Sequence, residues 1–361
     1  MAVNVLHFIE TLGKGGAEIL FVEYINALPE EFNNIVVYMR PPQELLPELQ
    51  NVKAVYCLNY TGKKDIPGNA LRLNSIIRRH QVSLLHTHLY WPTIIARLST
   101  TFSKIPLLFH VHSLISEDAF KPNILSKYVE QLTYRSRHAA IFVSETAMKD
   151  YQRYIKTSGN TAVLHNFVRD SFFKDAGSRQ PITPNKELRL VSVGNLKPQK
   201  NQLFLIKCMQ QLSGQGITLD IYGEGDYRQE LAAYIKQHNI THVKLRGSKE
   251  NLHDLLKEYD AFVMASAYEG FCIAMAEAMA LGLPCLVPDT SVWREVSGGT
   301  QQYFEPDNEL SFVSGVLHLF NNPQELKRYS DAAQVYAIRY KKQEFIAQLV
   351  RLYYSPLRKD G

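Results

Sequence analysis

Two glutamates eight residues apart are the first residues whose spacing suggests chemistry. Glu269 and Glu277 lie in the segment 268–288, which reads YEGFCIAMAEAMALGLPCLVP. If residues 270–281 form a helix, the positions at helical spacing around Glu277 are apolar, and no polar stripe exists. An ionised carboxylate in such surroundings costs several kcal/mol unless strong partners meet it. Glu277 therefore needs a partner from outside the segment: a bound polyol, buried backbone, or an arginine from elsewhere.

Two loops that follow predicted strands carry residues suited to bind an anion. In GKGG, residues 13–16, the glycines let the backbone approach a ligand at the amide end of a helix. A tight turn without a ligand explains them equally well, because the spacing differs from the dinucleotide fingerprint. In VGNLKPQKN, residues 193–201, Lys197 and Lys200 suit a diphosphate clamp, although solvated loop lysines show the same pattern. YGEGD at 222–226 is another glycine-marked loop after a predicted strand.

Four histidines lie at the ends of two predicted strands. The sequence LLHTHLYW places His86 and His88 on one strand face, and LFHVHS does the same for His110 and His112. Such residues serve as zinc ligands, as a polar network in the core, or as a substrate contact made by His112 or His88. No Asp, Glu or Cys accompanies them at ligand spacing, and the chain has no Asp-x-Asp motif. We therefore predict no metal site.

Short apolar strands alternate with helices along the chain, which predicts an α/β protein with two parallel, doubly wound sheets. Ligands of such sheets bind beyond the carboxyl ends of the strands, where the loops above lie. The predicted strands are 3–9, 34–38, 83–87, 107–111, 139–143 and 161–164, then 188–193, 218–222, 243–246, 261–265 and 284–287. The predicted helices are 17–28, 70–80, 92–103 and 124–136, then 202–212, 227–238, 252–257, 270–281 and 343–354.

The strand and helix pattern restarts once, which predicts two domains. The segment GSRQPITPNKE, residues 177–187, has two prolines, a glycine and few apolar residues, which is typical of a linker. We predict a first Rossmann-like domain at 1–176 and a second at 188–342. The final segment, about 343–361, is expected to pack back on the first domain as a helix.

The composition is that of a globular protein, with 45% hydrophobic and 21% charged residues among 361. No apolar run approaches the roughly 20 residues of a membrane helix, and the start lacks the basic region of a signal peptide. We expect a cytoplasmic protein with reduced, scattered cysteines. Residues 1–180 hold 20 Lys and Arg against 15 Asp and Glu, which suits an anionic surface. No basic run is interleaved with aromatics, so nucleic acid is not an expected partner.

Taken together, these motifs resemble glycosyltransferase family 4, which has the GT-B fold. The most specific part is Glu269-GFCIAMA-Glu277 followed by AMALGLPCLV, and VGNLKPQKN, YGEGD, GGAE and FHVHS extend the resemblance over nearly the whole chain. The resemblance implies two Rossmann-like domains facing across a cleft. It also implies a sugar nucleotide held mainly by the C-terminal domain.

The resemblance also implies roles for individual residues. Glu277 would hold the ribose, Glu269 and the amides after it would hold the donor sugar and phosphate, and His112 falls at the family's active-site histidine. The backbone near Arg246 is expected to line the base pocket. The catalytic residues implied are His112, Glu269 and Lys200. The donor-binding residues expected are Gly15, Gly16, Asn195, Lys197, Arg246, Gly270, Phe271, Cys272, Ile273 and Glu277.

Three positions depart from the family pattern. Asn195 stands where an arginine is usual, so Lys197 would have to supply that charge. Asn201 and Phe167 each stand where a glycine is common. These differences bear on how strongly the chain can bind a donor and stabilise its leaving group.

The activity implied is a retaining, metal-independent transfer of sugar from a UDP- or GDP-type donor, without a cofactor. A saccharide or lipid-linked acceptor in bacterial surface polysaccharide synthesis is expected, and the basic N-terminal half suits peripheral contact with an anionic inner membrane face. Two alternatives stay open: a sugar-nucleotide epimerase on the same fold, and a non-catalytic sugar-nucleotide-binding partner, which Asn195 favours.

Overall fold

The chain forms two compact units in the computed structural model. The first unit comprises Met1–Phe167 and Lys342–Gly361, so the chain leaves it once and returns. The second unit is the continuous segment Val168–Lys341. The residues that the structure describes are 2–101, 103–157, 160–174 and 187–357.

The boundary between the units falls earlier than the predicted domain limit. The first predicted domain ran to residue 176, whereas residues from Val168 onward belong to the second unit. The Val168 amide donates to the Tyr340 carbonyl at 2.8 Å, which ties the first residue of that unit to its last turn. The predicted linker at 177–187 lies outside the described residues, except for Glu187.

The first unit contains a sheet of seven parallel strands. Runs of Val, Ile, Leu and Phe form these strands because parallel strands are covered on both faces. The strands are β1 (Val3–Ile9), β2 (Phe32–Tyr38), β3 (Ala54–Cys57), β4 (Leu84–His88), β5 (Leu107–Val111), β6 (Ala139–Phe142) and β7 (Thr161–Val163).

The strand order of this sheet is β3-β2-β1-β4-β5-β6-β7, so the direction of winding reverses between β1 and β4. Such a reversal leaves a crevice at the carboxyl ends of the strands. The register sets His7 opposite His86 and His88 opposite His110. Histidines of three neighbouring strands therefore lie side by side at this point of the sheet.

Helices connect the strands of the first unit, and the last helix of the chain joins them. Lys342 forms an ion pair with Glu23 at 2.7 Å, and the Tyr353 hydroxyl lies 2.8 Å from Nδ1 of His86. The final segment thus completes the first unit's core. The helices are α1 (Gly16–Ala27), α2 (Ile66–Arg79), α3 (Tyr90–Ser99), α4 (Ile124–Thr133), α5 (Glu145–Gln152) and, at the end of the chain, α14 (Lys342–Leu357).

The second unit contains a sheet of six parallel strands. In space their order is tenth, ninth, eighth, eleventh, twelfth and thirteenth along the chain, which is again doubly wound. The strands are β8 (Leu188–Val193), β9 (Ile217–Tyr222), β10 (Val243–Gly247), β11 (Ala261–Val263), β12 (Cys285–Pro288) and β13 (Gln302–Phe304).

The helices of the second unit pack around a core formed by side chains such as Leu190, Leu205, Leu219 and Phe312. The helices are α6 (Ser171–Lys174), α7 (Gln202–Gln211), α8 (Arg228–Gln237), α9 (Leu252–Leu255), α10 (Ile273–Ala280), α11 (Ser291–Ser297), α12 (Glu309–Asn321) and α13 (Pro323–Ala337).

The predicted fold class, an α/β protein with two Rossmann-like sheets, is confirmed. The strands and helices assigned from the sequence are present, with ends that shift by a few residues. The prediction did not assign β3, α5, α6 or the segment 291–337, which holds three helices and an edge strand. Among the described residues, no helix combines the length and the apolar character needed to cross a membrane.

Two glycines in the loop after β9 are required by close backbone packing. A Cβ at Gly223, where φ is +141°, would overlap the Gly194 carbonyl, and a Cβ at Gly225, where φ is +157°, would overlap the Leu196 carbonyl. Because the obstacle is backbone in both cases, a small side-chain movement cannot remove it. The loops after β8 and β9 can approach only with glycine at these positions.

We expect Gly223→Ala to destabilise the second unit by about 2–4 kcal/mol, since strained φ and a backbone collision add. The matched control is Gly214→Ala, at φ +76° with open space around its Cβ, which should cost about 1 kcal/mol. Urea unfolding followed by Trp293 fluorescence, in a Trp91→Phe background, reports the second unit. Equal losses in the two variants would show that backbone crowding is not the constraint.

Candidate functional site

Backbone hydrogen bonds join the loops that follow β8 and β9. The Gly194 amide donates to the Tyr222 carbonyl at 3.0 Å, and the Leu196 amide donates to the Glu224 carbonyl at 2.9 Å. These bonds hold two of the glycine-marked loops side by side at the carboxyl edge of the sheet. That edge is where ligands of doubly wound sheets bind.

An ion pair between Lys200 and Glu269 connects the loop after β8 to the loop after β11. Lys200 Nζ and Glu269 Oε1 lie 2.5 Å apart, and the Glu269 residue is only 6% exposed. Beside them, the Gln199 side chain donates to the Tyr268 carbonyl at 2.9 Å, and the Ala267 amide donates to the Gln199 carbonyl at 2.9 Å. Two residues predicted to act separately on a donor therefore form a single neutral pair.

Glu277 is met by an arginine of its own unit. Arg169 Nε donates to Glu277 Oε1 at 3.1 Å, and Nη2 of the same guanidinium lies 3.1 Å from that oxygen. The alternative in which an arginine from elsewhere satisfies the glutamate is therefore the one observed. A bound sugar is therefore not required to keep Glu277 in its apolar surroundings, because an internal cation already offsets the cost of burial.

The surroundings of Glu277 still leave it partly unmatched. Burial raises the pKa of its carboxyl group, and the neighbouring Arg169 opposes that rise. Both contacts from Arg169 fall on Oε1. Sequence analysis missed Arg169, although Phe167, two residues before it, was noted as a departure from the family pattern. The only signal was the demand of Glu277 for an external cation, which does not say which of many arginines supplies it.

Helix α10 begins later than its sequence suggested. The prediction opened the helix at Gly270, whereas its first residue is Ile273 and Cys272 is the cap residue. The amides of Phe271 and Cys272 therefore precede the helix rather than forming its first turn. Phe271 packs edge-on against Tyr340, with ring centres 5.3 Å apart. Burial raises the pKa of the Cys272 thiol to about 12, so this cysteine is protonated and unreactive at neutral pH.

The other residues of the second unit that were predicted to bind the sugar donor lie in two different settings, an exposed loop and a strand of the sheet. Asn195 and Lys197 are exposed in the loop after β8. Arg246 lies on β10 and donates to Asp220 at 2.7 Å, an acid that also accepts from the Tyr259 hydroxyl at 2.6 Å. The Arg246 side chain is thereby held by its own sheet. Its expected backbone role at a base pocket stays a prediction.

The glycine loop of the first unit faces a carboxylate. Gly15 caps α1 and Gly16 is its first residue, as the helix prediction implied within one position. The Glu18 side chain folds over Gly15, where a Cβ would collide with its carboxylate, and accepts from Thr11 Oγ1 at 3.1 Å. The amide end of α1 is therefore next to a negative charge of its own. A role in binding a diphosphate stays a prediction for this loop.

Five histidines, four of them buried and His112 partly buried, form a cluster in the first unit together with Tyr24 and Tyr353. Neighbouring imidazole rings have centres 4.2–5.9 Å apart. Burial lowers the pKa of each ring, so the cluster is neutral at pH 7. Of the three interpretations given by the sequence, a polar network is therefore present. The five residues are His7, His86, His88, His110 and His112.

The direction of the hydrogen bonds in this cluster follows from Asn34. Its amide nitrogen donates to the Asn51 carbonyl at 3.0 Å, so its oxygen faces His7 and accepts from Nε2 at 3.0 Å. Burial lowers the pKa of His7 to about 4, so the ring is neutral and its Nδ1 carries only a lone pair. The Tyr24 hydroxyl, 3.2 Å away, therefore donates to Nδ1 of His7.

The hydroxyl group of Tyr24 extends this chain of hydrogen bonds to two further histidines, His88 and His112. Because its proton points to His7, its oxygen accepts from Nε2 of His88 at 2.7 Å. Burial keeps His88 neutral by holding its pKa well below 6.5, so its Nδ1 accepts from Nε2 of His112 at 2.9 Å. His112 then carries its single proton on Nε2. Its Nδ1 is a lone-pair acceptor with no hydrogen-bond partner among the described residues.

His110 is the least satisfied member of the cluster. Neither of its ring nitrogens has a hydrogen-bond partner in the described part of the chain. Its nitrogens lie near those of His88 and His112, and one ligand atom from each of the three lies within 4.8 Å of the others. His7, His86 and His88 form a second such group. However, His88 and His112 already bond to each other. The predicted absence of a metal site stays a prediction.

A cavity of about 440 Å³ lies beside His112 in the first unit. Its wall combines aromatic and apolar side chains with a few charged ones, which suits an amphiphilic guest. One side is formed by the inward face of α4, where Glu130 is buried in an ion pair with Arg97 at 2.7 Å. Residues that line the cavity include His110, His112, Trp91, Ile115, Lys63 and Asp118.

Two glycosyltransferase family models together match most of the chain. The model described as Glycosyltransferase Family 4 matches residues 14–172. The model described as Glycosyl transferases group 1 matches residues 174–336. The two matches meet near the boundary between the units.

Individual relatives agree with these matches. The putative glycosyltransferase EpsF of Bacillus subtilis is 24% identical over 324 residues, which cover 82% of this chain and 81% of EpsF. The UDP-Gal:alpha-D-GlcNAc-diphosphoundecaprenol alpha-1,3-galactosyltransferase of Escherichia coli is 25% identical over 248 residues, 64% of either protein. The crystal structure of Anabaena HepE in complex with UDP has a TM-score of 0.82 at 17% identity, covering 98% of this chain and 100% of HepE. That last similarity shows the fold.

The direction derived for the histidine cluster predicts one tautomer at three positions. His7, His88 and His112 should each be protonated on Nε2 and bare on Nδ1. Two-bond nitrogen–proton correlation spectra of the protein labelled with ¹⁵N-histidine distinguish the tautomers directly. Single-histidine replacements assign the signals. An Nδ1-protonated His112 would contradict the chain of bonds that starts at Asn34.

Because His110 has no partner, His110→Phe should stabilise the first unit by about 1–3 kcal/mol, the cost of burying unmatched polar groups. The gain should grow as pH falls from 6.5, since the unfolded ring takes up a proton that the buried ring, with its lowered pKa, refuses. Urea unfolding followed by Trp91 fluorescence, in a Trp293→Phe background, measures both effects.

The matched control is His7→Phe, which should destabilise because it leaves Asn34 without its partner. A loss of stability in His110→Phe would mean that a bound group, such as a metal ion, satisfies that ring in solution. Metal analysis of the purified protein would then identify the ion.

Proposed function

Since the chain belongs to the group 1 glycosyltransferases, we propose that it transfers a sugar from a nucleotide-diphosphate sugar to a lipid-linked saccharide, with retention and without a metal ion. The observation that carries the proposal is the pair of buried glutamates, Glu269 and Glu277, at the ligand-binding edge of the second sheet. Each has one cation, and together they offer acceptor oxygens to a polyol.

The donor is proposed to bind to the second unit. Glu277 accepts from ribose hydroxyls through Oε2, the oxygen that Arg169 does not contact. Glu269 accepts from hydroxyls of the donor sugar while it also contacts Lys200 at 2.5 Å. The amides of Cys272 and Ile273 are proposed to supply further donors near this position.

The leaving diphosphate needs positive charge as its bond to the anomeric carbon breaks. Lys200 and the exposed Lys197 are proposed to supply it, because no Asp-x-Asp pair is present in the chain to bridge a metal ion. Asn195, which stands in the same loop, offers hydrogen bonds in place of an arginine's charge. Retention is proposed from the family resemblance, through attack by the acceptor on the same face.

The acceptor is proposed to bind to the first unit. The cavity beside His112 has the mixed wall that a sugar with a lipid carrier would suit. His112 presents an unprotonated Nδ1, so it accepts a hydrogen bond from a hydroxyl rather than donating one. The Escherichia coli relative is named for a substrate carried on diphosphoundecaprenol, which supports a lipid-linked acceptor here. HepE binds UDP, which supports a UDP-type donor.

Incubation with a panel of UDP- and GDP-sugars, without acceptor, tests the reaction class. A transferase hydrolyses its donor slowly to nucleotide and sugar. Conversion to a different sugar nucleotide would replace the proposal with an epimerase, and binding without turnover would replace it with a sensor. Thermal shift with UDP and GDP identifies the base beforehand, because a ligand of the folded state raises its Tm.

We expect Glu277→Gln to raise the donor KM at least about 10-fold, because an amide is a weaker acceptor for ribose hydroxyls than a carboxylate. The kcat should change less than the KM, since the ribose lies away from the breaking bond. Initial rates of donor hydrolysis measure both. The control is Glu325→Gln, which removes an exposed carboxylate paired with Arg328 and should change neither. An unchanged KM in a folded Glu277→Gln protein would refute the ribose role.

A further inference from the structure

Helix α4 of the first unit presents a face of large apolar side chains to solvent. Ile124, Leu125, Tyr128 and Leu132 are 58%, 65%, 54% and 72% exposed. At 100° per residue these four positions fall within one arc of the helix. Isolated exposed leucines are ordinary on a protein surface, but four such residues on one ten-residue helix form a contiguous patch that marks an interaction site.

The opposite face of α4 fixes the helix firmly in the first unit. Asn123 caps its start by accepting from the Leu125 amide at 3.2 Å. Glu130 is buried in the ion pair with Arg97 and accepts from the Tyr151 hydroxyl. The Tyr90 hydroxyl donates to the Ser126 carbonyl at 2.6 Å. The exposed apolar residues are therefore not a misplaced core face, since the inward face of this helix is already occupied.

The chain segment that contains α4 carries more exposed positive charge than negative charge. Between residues 117 and 156, seven Lys and Arg side chains are at least partly exposed, against three acids. The two other acids of the segment are buried, Glu130 against Arg97 and Asp150 against Ser116. The exposed cations are Lys121, Lys127, Arg135, Arg137, Lys149, Arg153 and Lys156, and the exposed acids are Glu117, Asp118 and Glu145.

We propose that α4 docks the first unit onto an anionic lipid bilayer, with Ile124, Leu125, Tyr128 and Leu132 inserted at the headgroup level. An apolar helix face within a basic segment, with Lys127 on the helix and Lys121 and Arg135 close to its ends in sequence, matches a surface that is apolar below and negative above. A second copy of this chain matches less well, because self-association would bring two basic segments together. The inference deepens the proposed function and rests on it for the nature of the acceptor.

The two faces of α4 connect this docking to the cavity. Asn123, Ser126 and Glu130, on the inward side of the helix or at its start, line the cavity beside His112. A helix is about 10 Å across, so an acceptor whose lipid stays in the bilayer has its head group within one helix width of that cavity. Docking through α4 therefore brings saccharides that are linked to a membrane lipid close to the cavity of the first unit. Saccharides that are distant from the membrane are excluded.

Vesicle flotation tests the proposal with the full-length protein. Wild type should float with vesicles of phosphatidylcholine and 30% phosphatidylglycerol, float poorly with pure phosphatidylcholine, and lose binding as salt rises. The double substitution Leu125→Ser with Leu132→Ser should weaken binding to anionic vesicles at least about 10-fold, because two inserted leucines are lost. The matched control is Leu310→Ser with Val335→Ser, whose side chains in the second unit are 74% and 73% exposed.

Equal binding by both double variants would overturn the proposal, as would absence of wild-type binding to anionic vesicles. Self-association that only the α4 variant abolishes, measured by light scattering, would assign the patch to a protein interface instead. Donor hydrolysis without vesicles is measured in parallel and should be the same in all variants. Its absence in wild type would count against the proposed function and leave the docking result standing by itself.

Discussion

The ion pair between Arg169 and Glu277 ties the second residue of the second unit to the helix that carries the second glutamate. A buried carboxylate costs several kcal/mol when unpaired, and the Ala and Met side chains of α10 cannot hydrogen-bond to it. The position of α10, and of the residues before it, therefore depends on where the chain enters the unit. The same pairing leaves one carboxylate oxygen available, so structural and ligand-binding roles are compatible on a single side chain.

In the first unit, buried polar side chains are likewise matched by partners distant in the sequence. The contacts there are hydrogen bonds between neutral groups instead of an ion pair. The orientation of one amide, Asn34, determines which nitrogen carries the proton in His7, His88 and His112, although Asn34 lies on a different strand from each of them. Burial keeps the rings neutral, so each ring has one nitrogen that donates and one that accepts. A residue far along the hydrogen-bonded chain thus determines the chemistry that His112 can offer. His110, outside this chain of bonds, shows what a ring costs when no partner is provided.

Most of the sheet architecture could be predicted from the sequence. Much less could be predicted of which distant side chains pair with one another. The limits of β1 and β8 agree because short apolar runs between polar loops are local signals. The start of α10 was placed three residues early, since Cys272 adopts extended backbone that apolar composition does not reveal. Arg169 lies 108 residues from Glu277 along the chain, so no local pattern connects them. Helix α13 was missed because its Lys, Arg and Asp residues dilute the apolar period on which the assignment relied.

Helix α14 gives the fold an unusual order of completion during translation. Its Leu349 and Tyr353 are fully buried in the first unit, yet they leave the ribosome only after the whole second unit has been made. The nascent first unit therefore holds its seven strands for a time without the tyrosine that meets His86, while the later unit can already close its own core. The N-terminal half of the polypeptide is thus the last part of the molecule to reach its mature state.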